Sequence, residues 1–213
     1  MDFLPEKIDQ YSENHTSAES ELLAKLNRDT QAKVLRPRML SGHLQGRTLS
    51  MMSHMLRPKR ILEIGTYTGY SALCMAEGLA DNGTLHTIDI NEELEDFAKS
   101  YFAKSEHGKH IKMHIGNALD IIPGLNETWD MVFIDADKTN YSNYFDLVID
   151  HTRKGGFIIA DNVLWSGKVT EAIKAQDEDT QALVAFNEKV QQDDRVENVL
   201  LPIRDGLMVA RKK

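Results

Sequence analysis

Cysteine is what this sequence has least of: Cys74 is the only one in 213 residues. No disulfide can therefore form within the chain, and such usage suits a reducing compartment. Long hydrophobic runs are absent too, so no stretch would span a bilayer. The start, Met1-Asp2-Phe3-Leu4-Pro5-Glu6-Lys7, has neither the basic end nor the unbroken apolar core of a secretion signal. The expectation is a cytoplasmic protein with no membrane partner. Positive charge is in deficit: a formal net charge of -8 argues against broad binding to nucleic acid phosphates. Locally the balance reverses, because Arg28, Lys33, Arg36, Arg38, Arg57, Lys59 and Arg60 precede the first expected strand. Solvated surface and helix C-terminal charges account for that patch without a partner.

There is no internal repeat and no low-complexity linker. The length and an apolar fraction of 41% suit one α/β domain over 1–213. Residues 1–56 read as a helical lead-in that would form a lid, and 57–213 as the core. In the lead-in, Ser17-Ala18-Glu19-Ser20-Glu21-Leu22-Leu23 has the form of a capped helix start. Leu44, Thr48, Leu49, Met52 and Met55 recur at helical spacing and are expected to pack on the sheet. From Arg60 onward short apolar runs alternate with helical segments: Ile61 to Gly65, Thr84 to Asp89, Ile111 to Ile115, Met131 to Asp135 and Gly156 to Asp161. Such alternation predicts right-handed crossovers and a doubly wound, mostly parallel, Rossmann-like sheet. Val196 to Leu201 and Gly206 to Ala210 follow one another without a helix, which predicts an antiparallel hairpin near one edge. Cys74 lies in the apolar stretch Ser71 to Ala76 and is expected in the core.

Ligands of an open parallel sheet bind beyond the carboxyl ends of its strands, so the residues closing each run carry the functional information. The first run closes with Glu63-Ile64-Gly65-Thr66-Tyr67-Thr68-Gly69-Tyr70-Ser71. Gly65 and Gly69 allow a tight turn and close approach of a ligand, and Asp89, closing the second run, is spaced to reach a ribose diol. A dinucleotide fits less well, because Tyr67, Thr68, Tyr70 and Ser71 stand where the usual third glycine would fall. Glu63 would also repel a pyrophosphate and favour a cationic sulfonium amino acid, which points to S-adenosylmethionine. Gly116-Asn117-Ala118, after the third run, would edge an adenine ring or simply cap a helix; both readings stand.

Two further strand ends, Asp135-Ala136-Asp137-Lys138 and Asp161-Asn162, would bring Asp135, Asp161 and Asn162 to one edge of the sheet. Three hard oxygens without sulfur or imidazole favour Mg²⁺ over zinc. An octahedral ion takes about six ligands, so about three positions would remain for two substrate oxygens and a water. That count suits a diol or catechol. Lys138 would stand over the same site, where a nearby dication and partial burial make a neutral amine accessible as a base. The alternative for Lys138 is a surface lysine paired with Asp135 or Asp137.

The chain resembles the caffeoyl-CoA and catechol O-methyltransferase family. The likeness runs from Met39-Leu40-Ser41 and Gln45-Gly46 through Leu62 to Ser71, and ends at Leu201-Pro202-Ile203-Arg204-Asp205-Gly206. Its most specific segments are Phe133 to Tyr141 and Gly155 to Gly167. The resemblance implies a seven-stranded sheet and a homodimer. It implies Ser41, Glu63, Gly65, Thr66, Ser71, Asp89, Ala118 and Asp135 at the cofactor, and Asp135, Asp161 and Asn162 at the metal. It further implies Lys138 as the catalytic base and Met39, Trp165 and Asp205 beside a small aromatic vicinal-diol acceptor. Were the acceptor a CoA ester, Arg28, Arg36, Arg38 and Arg204 would be candidates for reading its phosphates; plain surface charge is the alternative for each. The resemblance extends to enzymes that methylate a hydroxyuridine in tRNA, a reading the basic lead-in supports and the net charge opposes. A non-catalytic cofactor-binding protein and an NAD-dependent reductase are further alternatives.

Overall fold

A computed structural model describes residues 6–213 of the chain; the first five residues of the lead-in lie outside the described residues. The lead-in forms three helices, α1 (Glu6–Asn14), α2 (Glu21–Lys33) and α3 (Gly42–Leu56). Ser20 caps α2, its side chain accepting a hydrogen bond from the Leu23 backbone N–H, so the helix begins later than Ser17. Then β1 (Arg60–Ile64), α4 (Tyr70–Ala76), β2 (Thr84–Asp89), α5 (Glu95–Phe102) and β3 (Ile111–Ile115) build one half. The other half holds α6 (Ala118–Leu125), β4 (Trp129–Ile134), α7 (Tyr141–Ile149), β5 (Thr152–Asp161), α8 (Glu178–Gln192), β6 (Val196–Leu201) and β7 (Leu207–Lys212).

The strands form one seven-stranded sheet in the order β3-β2-β1-β4-β5-β7-β6. β1 to β5 are parallel, and β7 lies antiparallel between β5 and the edge strand β6. Side chains alternate along each strand. Leu62, Ile64, Val132, Ile134, Ile158 and Ala160 pack against α6, α7 and α8, while Ile61, Met131, Phe133 and Ile159 pack against α2, α3, α4 and α5. Both faces are thus covered, as apolar strands in a parallel sheet require. β5 begins at Thr152, four residues before its apolar run, because Thr152 pairs with Trp129 across a register shift. Hydrophobic periodicity gives no sign of that polar, irregular segment.

The chain reverses direction across the sheet between β1 and β4, which places the open carboxyl ends of these two neighbours at the switch point. In α3 the buried face overlaps the expected one only in part. Leu49 is buried and Met52 packs against the core as expected, Met55 is 73% exposed, and Gln45, Gly46, Ser50 and Ser53 are buried beside them. Polar side chains can be buried there because each has a partner: Ser50 donates to Glu77 Oε2, and Ser53 to the Met75 carbonyl. Gly46 has no room for a side chain, since a Cβ there would stand 2.6 Å from the Tyr70 ring. Cys74 is buried as expected.

Candidate active site

Beyond the carboxyl ends of β1 and β4 a small recess is lined by Met39, Leu40, Ser41, Gly65, Thr66, Tyr67, Thr68, Tyr70, Ser71 and Asp135. It opens beside a cavity of about 800 Å³ whose walls include Met39, Asp135, Lys138, Asp161, Asn162, Trp165, Arg204 and Asp205. Asp135 borders both, so a ligand in the recess and one in the cavity would meet at its carboxylate. Eight of the residues expected at the cofactor or acceptor thus gather here: Met39, Ser41, Gly65, Thr66, Ser71 and Asp135 around the recess, and Trp165 and Asp205 across the cavity. Glu63, Asp89 and Ala118 line neither space.

Gly65 lines the recess, as its sequence suggests, and has a second task. Its φ is +103°, and a Cβ there would lie 1.8 Å from the Asp135 carbonyl oxygen. The close approach is therefore to strand β4, and it sets the distance between the two strand ends. The turn is closed by Asp89: Oδ2 accepts from the Tyr67 N–H at 2.6 Å and Oδ1 from the Asn91 N–H at 2.9 Å. Asn117 caps α6 by accepting from the Leu119 N–H, which puts Ala118 at that helix's first position.

Glu63 is fully buried, with Thr87 donating to Oε2 at 2.5 Å and Thr66 hydrogen-bonded in turn to Thr87. This string links the recess to the carboxyl group. The other oxygen, Oε1, has no hydrogen-bond partner. Burial pushes the Glu63 carboxyl up to about 8, opposed by the Ser71 and Thr87 hydroxyls and reinforced by the charges of Asp135 and Asp89. A buried acid with one bare oxygen is costly alone and suits a cationic ligand group nearby.

Asp135, Asp161, Asn162 and Lys138 do come together. Lys138, only 8% exposed, donates to Asp135 Oδ1 at 3.1 Å, to Asn162 Oδ1 at 2.8 Å and to Tyr141 Oη at 2.6 Å. Tyr141 donates in turn to the Asp161 carbonyl at 3.0 Å. The lysine is therefore not a surface residue. Asp137, its other expected partner, is held instead by Tyr144 and Asn140. Asp161 accepts from its neighbour's Asn162 N–H at 2.7 Å and from Gln45 Nε2 at 2.6 Å. Burial and the facing Asp135 charge push the Asp161 carboxyl up to about 7, while Gln45, Lys138 and Arg204 pull it down. Asn162 has a left-handed φ of 60°, which asparagine tolerates better than other non-glycine residues.

These observations test whether a divalent cation fits. Among the described residues no three His, Cys, Asp or Glu side chains form a metal cage; the donor set is two carboxylates and one amide oxygen. That set is hard, and it already attracts a cation, since the Lys138 ammonium sits between Asp135 and Asn162. Asp161, buried beside a second acid, feels Lys138 and Arg204 only at a distance, and its own hydrogen-bond donors are the neutral Gln45 amide and the Asn162 N–H. The residues fit a hard cation.

The side of the cavity expected to border the acceptor is built on a strained loop. Trp165 and Ser166 have φ of 46° and 59°, and Asp205 fastens the loop by accepting from the Ser166 N–H and, through its backbone, from the Leu164 N–H. Lys138 and Lys168 stand 5.7 and 6.0 Å from the Trp165 ring. Of the basic lead-in, Lys33 pairs with Asp29 and Arg60 with Glu127, whereas Arg36 and Arg38 line the cavity. Sequence reasoning assigned no role to Gln45, Thr87 or Tyr141. Tyr141 stands three residues after Lys138, a spacing that brings the two side chains together; nothing in the sequence links Gln45 to a partner 116 residues away.

The model of a family described as O-methyltransferase matches residues 13–213. A probable caffeoyl-CoA O-methyltransferase 2 from Dictyostelium discoideum is 32% identical over 207 residues, covering 95% of this chain and 90% of that protein. Caffeoyl-CoA O-methyltransferase from Petroselinum crispum is 34% identical over 179 residues, covering 79% and 74%. Among solved structures, O-methyltransferase TomG from Streptomyces achromogenes in complex with SAM superposes with a TM-score of 0.89 at 28% identity, covering 97% and 96%. An O-methyltransferase from Bacillus cereus in complex with SAH gives 0.89 at 29% identity, covering 97% of each chain.

Proposed function

The chain belongs to the O-methyltransferase family and is an S-adenosylmethionine-dependent O-methyltransferase; from that premise we propose that it methylates one hydroxyl of a catechol-like vicinal diol with the help of a hard divalent cation, Mg²⁺ or a similar ion. The observation that carries the proposal is the convergence of Asp135 and Asn162 on the Lys138 ammonium beside buried Asp161, in the wall of the large cavity. Asp135, Asp161 and Asn162 would hold the cation. When bound, it would supply positive charge that acidifies an acceptor hydroxyl and orients the diol.

The remaining steps belong to the chain. Ser41, Glu63, Gly65, Thr66, Ser71, Asp89, Ala118 and Asp135 would contact or frame the methyl donor, with Glu63 and Asp135 supplying negative charge. In its neutral form Lys138 Nζ would take the proton of the hydroxyl that is to be methylated, becoming the ammonium, and Tyr141 Oη, 2.6 Å away, would steady it. The acceptor oxygen then attacks the methyl carbon in line with the departing sulfur. Met39, Trp165 and Asp205 border the ring and hold it in place, which supplies much of the rate for a donor already reactive. A cytoplasmic homodimer is part of the same reading. It is supported by the lone reduced Cys74 and by Met51 and Met55, exposed one turn apart on α3. No helix of the described residues is long and apolar enough to cross a membrane.

The test is methyl transfer from labelled S-adenosylmethionine to 3,4-dihydroxybenzoate with Mg²⁺, with chelator, and with Asp161→Ala. Metal-dependent product, absent in both controls, is expected. Transfer that persists undiminished in chelator would remove the metal from the mechanism. A hydroxyuridine in tRNA is the second reading, favoured by Arg36, Arg38 and Lys168 around the cavity. It requires a salt-sensitive shift with bulk tRNA.

A further inference from the structure

Gln45 is wholly buried in α3, on a face it shares with the core residue Leu49, where leucine would bury similar area without desolvating an amide. Both ends of that amide are engaged, and the two partners differ in charge. Nε2 donates to Asp161 Oδ2 at 2.6 Å, and Oε1 accepts from Arg204 Nη1 at 3.3 Å. Arg204 is anchored by the same nitrogen to the Leu40 carbonyl at 3.2 Å. The guanidinium has no acceptor atom, so the amide can face it only with its oxygen, and the NH₂ group is left for the carboxylate. On the far oxygen of Asp161, the Asn162 N–H donates at 2.7 Å.

Each oxygen of the Asp161 carboxylate therefore receives one fixed donor and keeps lone-pair capacity for one more partner. The choice of an amide matters. A lysine or arginine here would neutralise Asp161 and compete with a cation, and an acid would repel it; glutamine orients the carboxylate and leaves its charge uncompensated. We infer that Gln45 is a positioning residue for the cation site, holding Asp161 in one orientation through a hydrogen bond whose direction Arg204 enforces. The inference rests on the metal reading above and adds to it a link from the lead-in helix α3 and the β6–β7 turn to the cation site. Groups that orient a metal ligand from behind typically change metal affinity by about 10–100-fold when removed.

The experiment titrates Mn²⁺ into the unaltered protein and into Gln45→Met, following free Mn²⁺ by its paramagnetic resonance signal, with S-adenosylmethionine binding measured in parallel by calorimetry. Gln45→Met is expected to bind Mn²⁺ about 10-fold or more weakly, to bind the methyl donor unchanged, and to recover methyl transfer as Mn²⁺ is raised. Equal Mn²⁺ affinity in the two proteins overturns the inference, and so does an activity loss that no Mn²⁺ concentration restores, since that marks a packing defect. Should Gln45→Met fail to fold, Arg204→Met carries the same test from an exposed residue: weaker Mn²⁺ binding supports the relay and unchanged binding overturns it. Absence of Mn²⁺ binding by the unaltered protein overturns the metal reading and the inference with it, an outcome distinct from equal binding by protein and variant.

Discussion

Replacing Glu63 by glutamine should make the unliganded protein more stable at alkaline pH and leave it nearly unchanged in mild acid. The carboxyl is fully buried, and burial raises it from its ordinary 4.5 to about 8. Below the lower value the group is neutral in both folded and unfolded chains, and above the upper value it is charged in both. Between them the folded protein holds a proton that the unfolded chain has released, so stability falls as pH rises. At about 1.4 kcal/mol per pH unit the whole interval sets a ceiling of about 5 kcal/mol, and relaxation around the buried charge brings the expected loss to roughly 2–5 kcal/mol. Glutamine has nearly the same shape and does not titrate. Urea unfolding of both proteins at about pH 5, 6.5 and 8.5 should show the stability difference growing in favour of Glu63→Gln toward the alkaline end. Asp161, raised to about 7, adds a slope of the same sign to both proteins and cancels in the comparison. A difference that stays constant with pH would refute the reasoning, because it would mean that Glu63 titrates alike in the folded and unfolded chains. In the presence of the methyl donor the unaltered protein's alkaline loss should shrink, as a cationic ligand offsets the buried charge.

Lys138→Met should keep methyl-donor binding and lower the transfer rate by about 10²–10⁴-fold; single-turnover assays check this, and a rate within the range of the unaltered protein would remove Lys138 as the base. Gly65→Ala should cost more than about 3 kcal/mol or prevent folding, because the new methyl would meet the Asp135 carbonyl at 1.8 Å from a backbone already at φ +103°. Urea unfolding measures that loss, and a fully stable Gly65→Ala would show that the β1 and β4 ends can separate without penalty.

Much of the site was legible in the sequence because parallel strands expose their carboxyl ends along one edge, so Gly65, Asp135 and Asp161 could be placed together as residues that close strands. The four-residue error at the start of β5 and the unforeseen buried residues of α3 share a cause. Both involve polar residues buried by hydrogen bonding, Thr152 to the Val148 carbonyl in one case and Ser50 and Ser53 in the other, and hydrophobic periodicity does not register them.

By itself the sequence determined the alternating α/β order, the antiparallel tail, the lone core cysteine and the acids that end strands, since each follows from local pattern and a chain too apolar at its strands to leave either face wet. Only the tertiary structure decided what those residues do to one another. It set Gly65 against a neighbouring strand as well as in the recess, left one oxygen of Glu63 without a partner, drew Lys138 into a pocket with Asp135, Asn162 and Tyr141, and brought Gln45 against Asp161. The physical reason is range: periodicity and capping act over a few residues, whereas desolvation and charge pairing depend on groups that only folding makes neighbours.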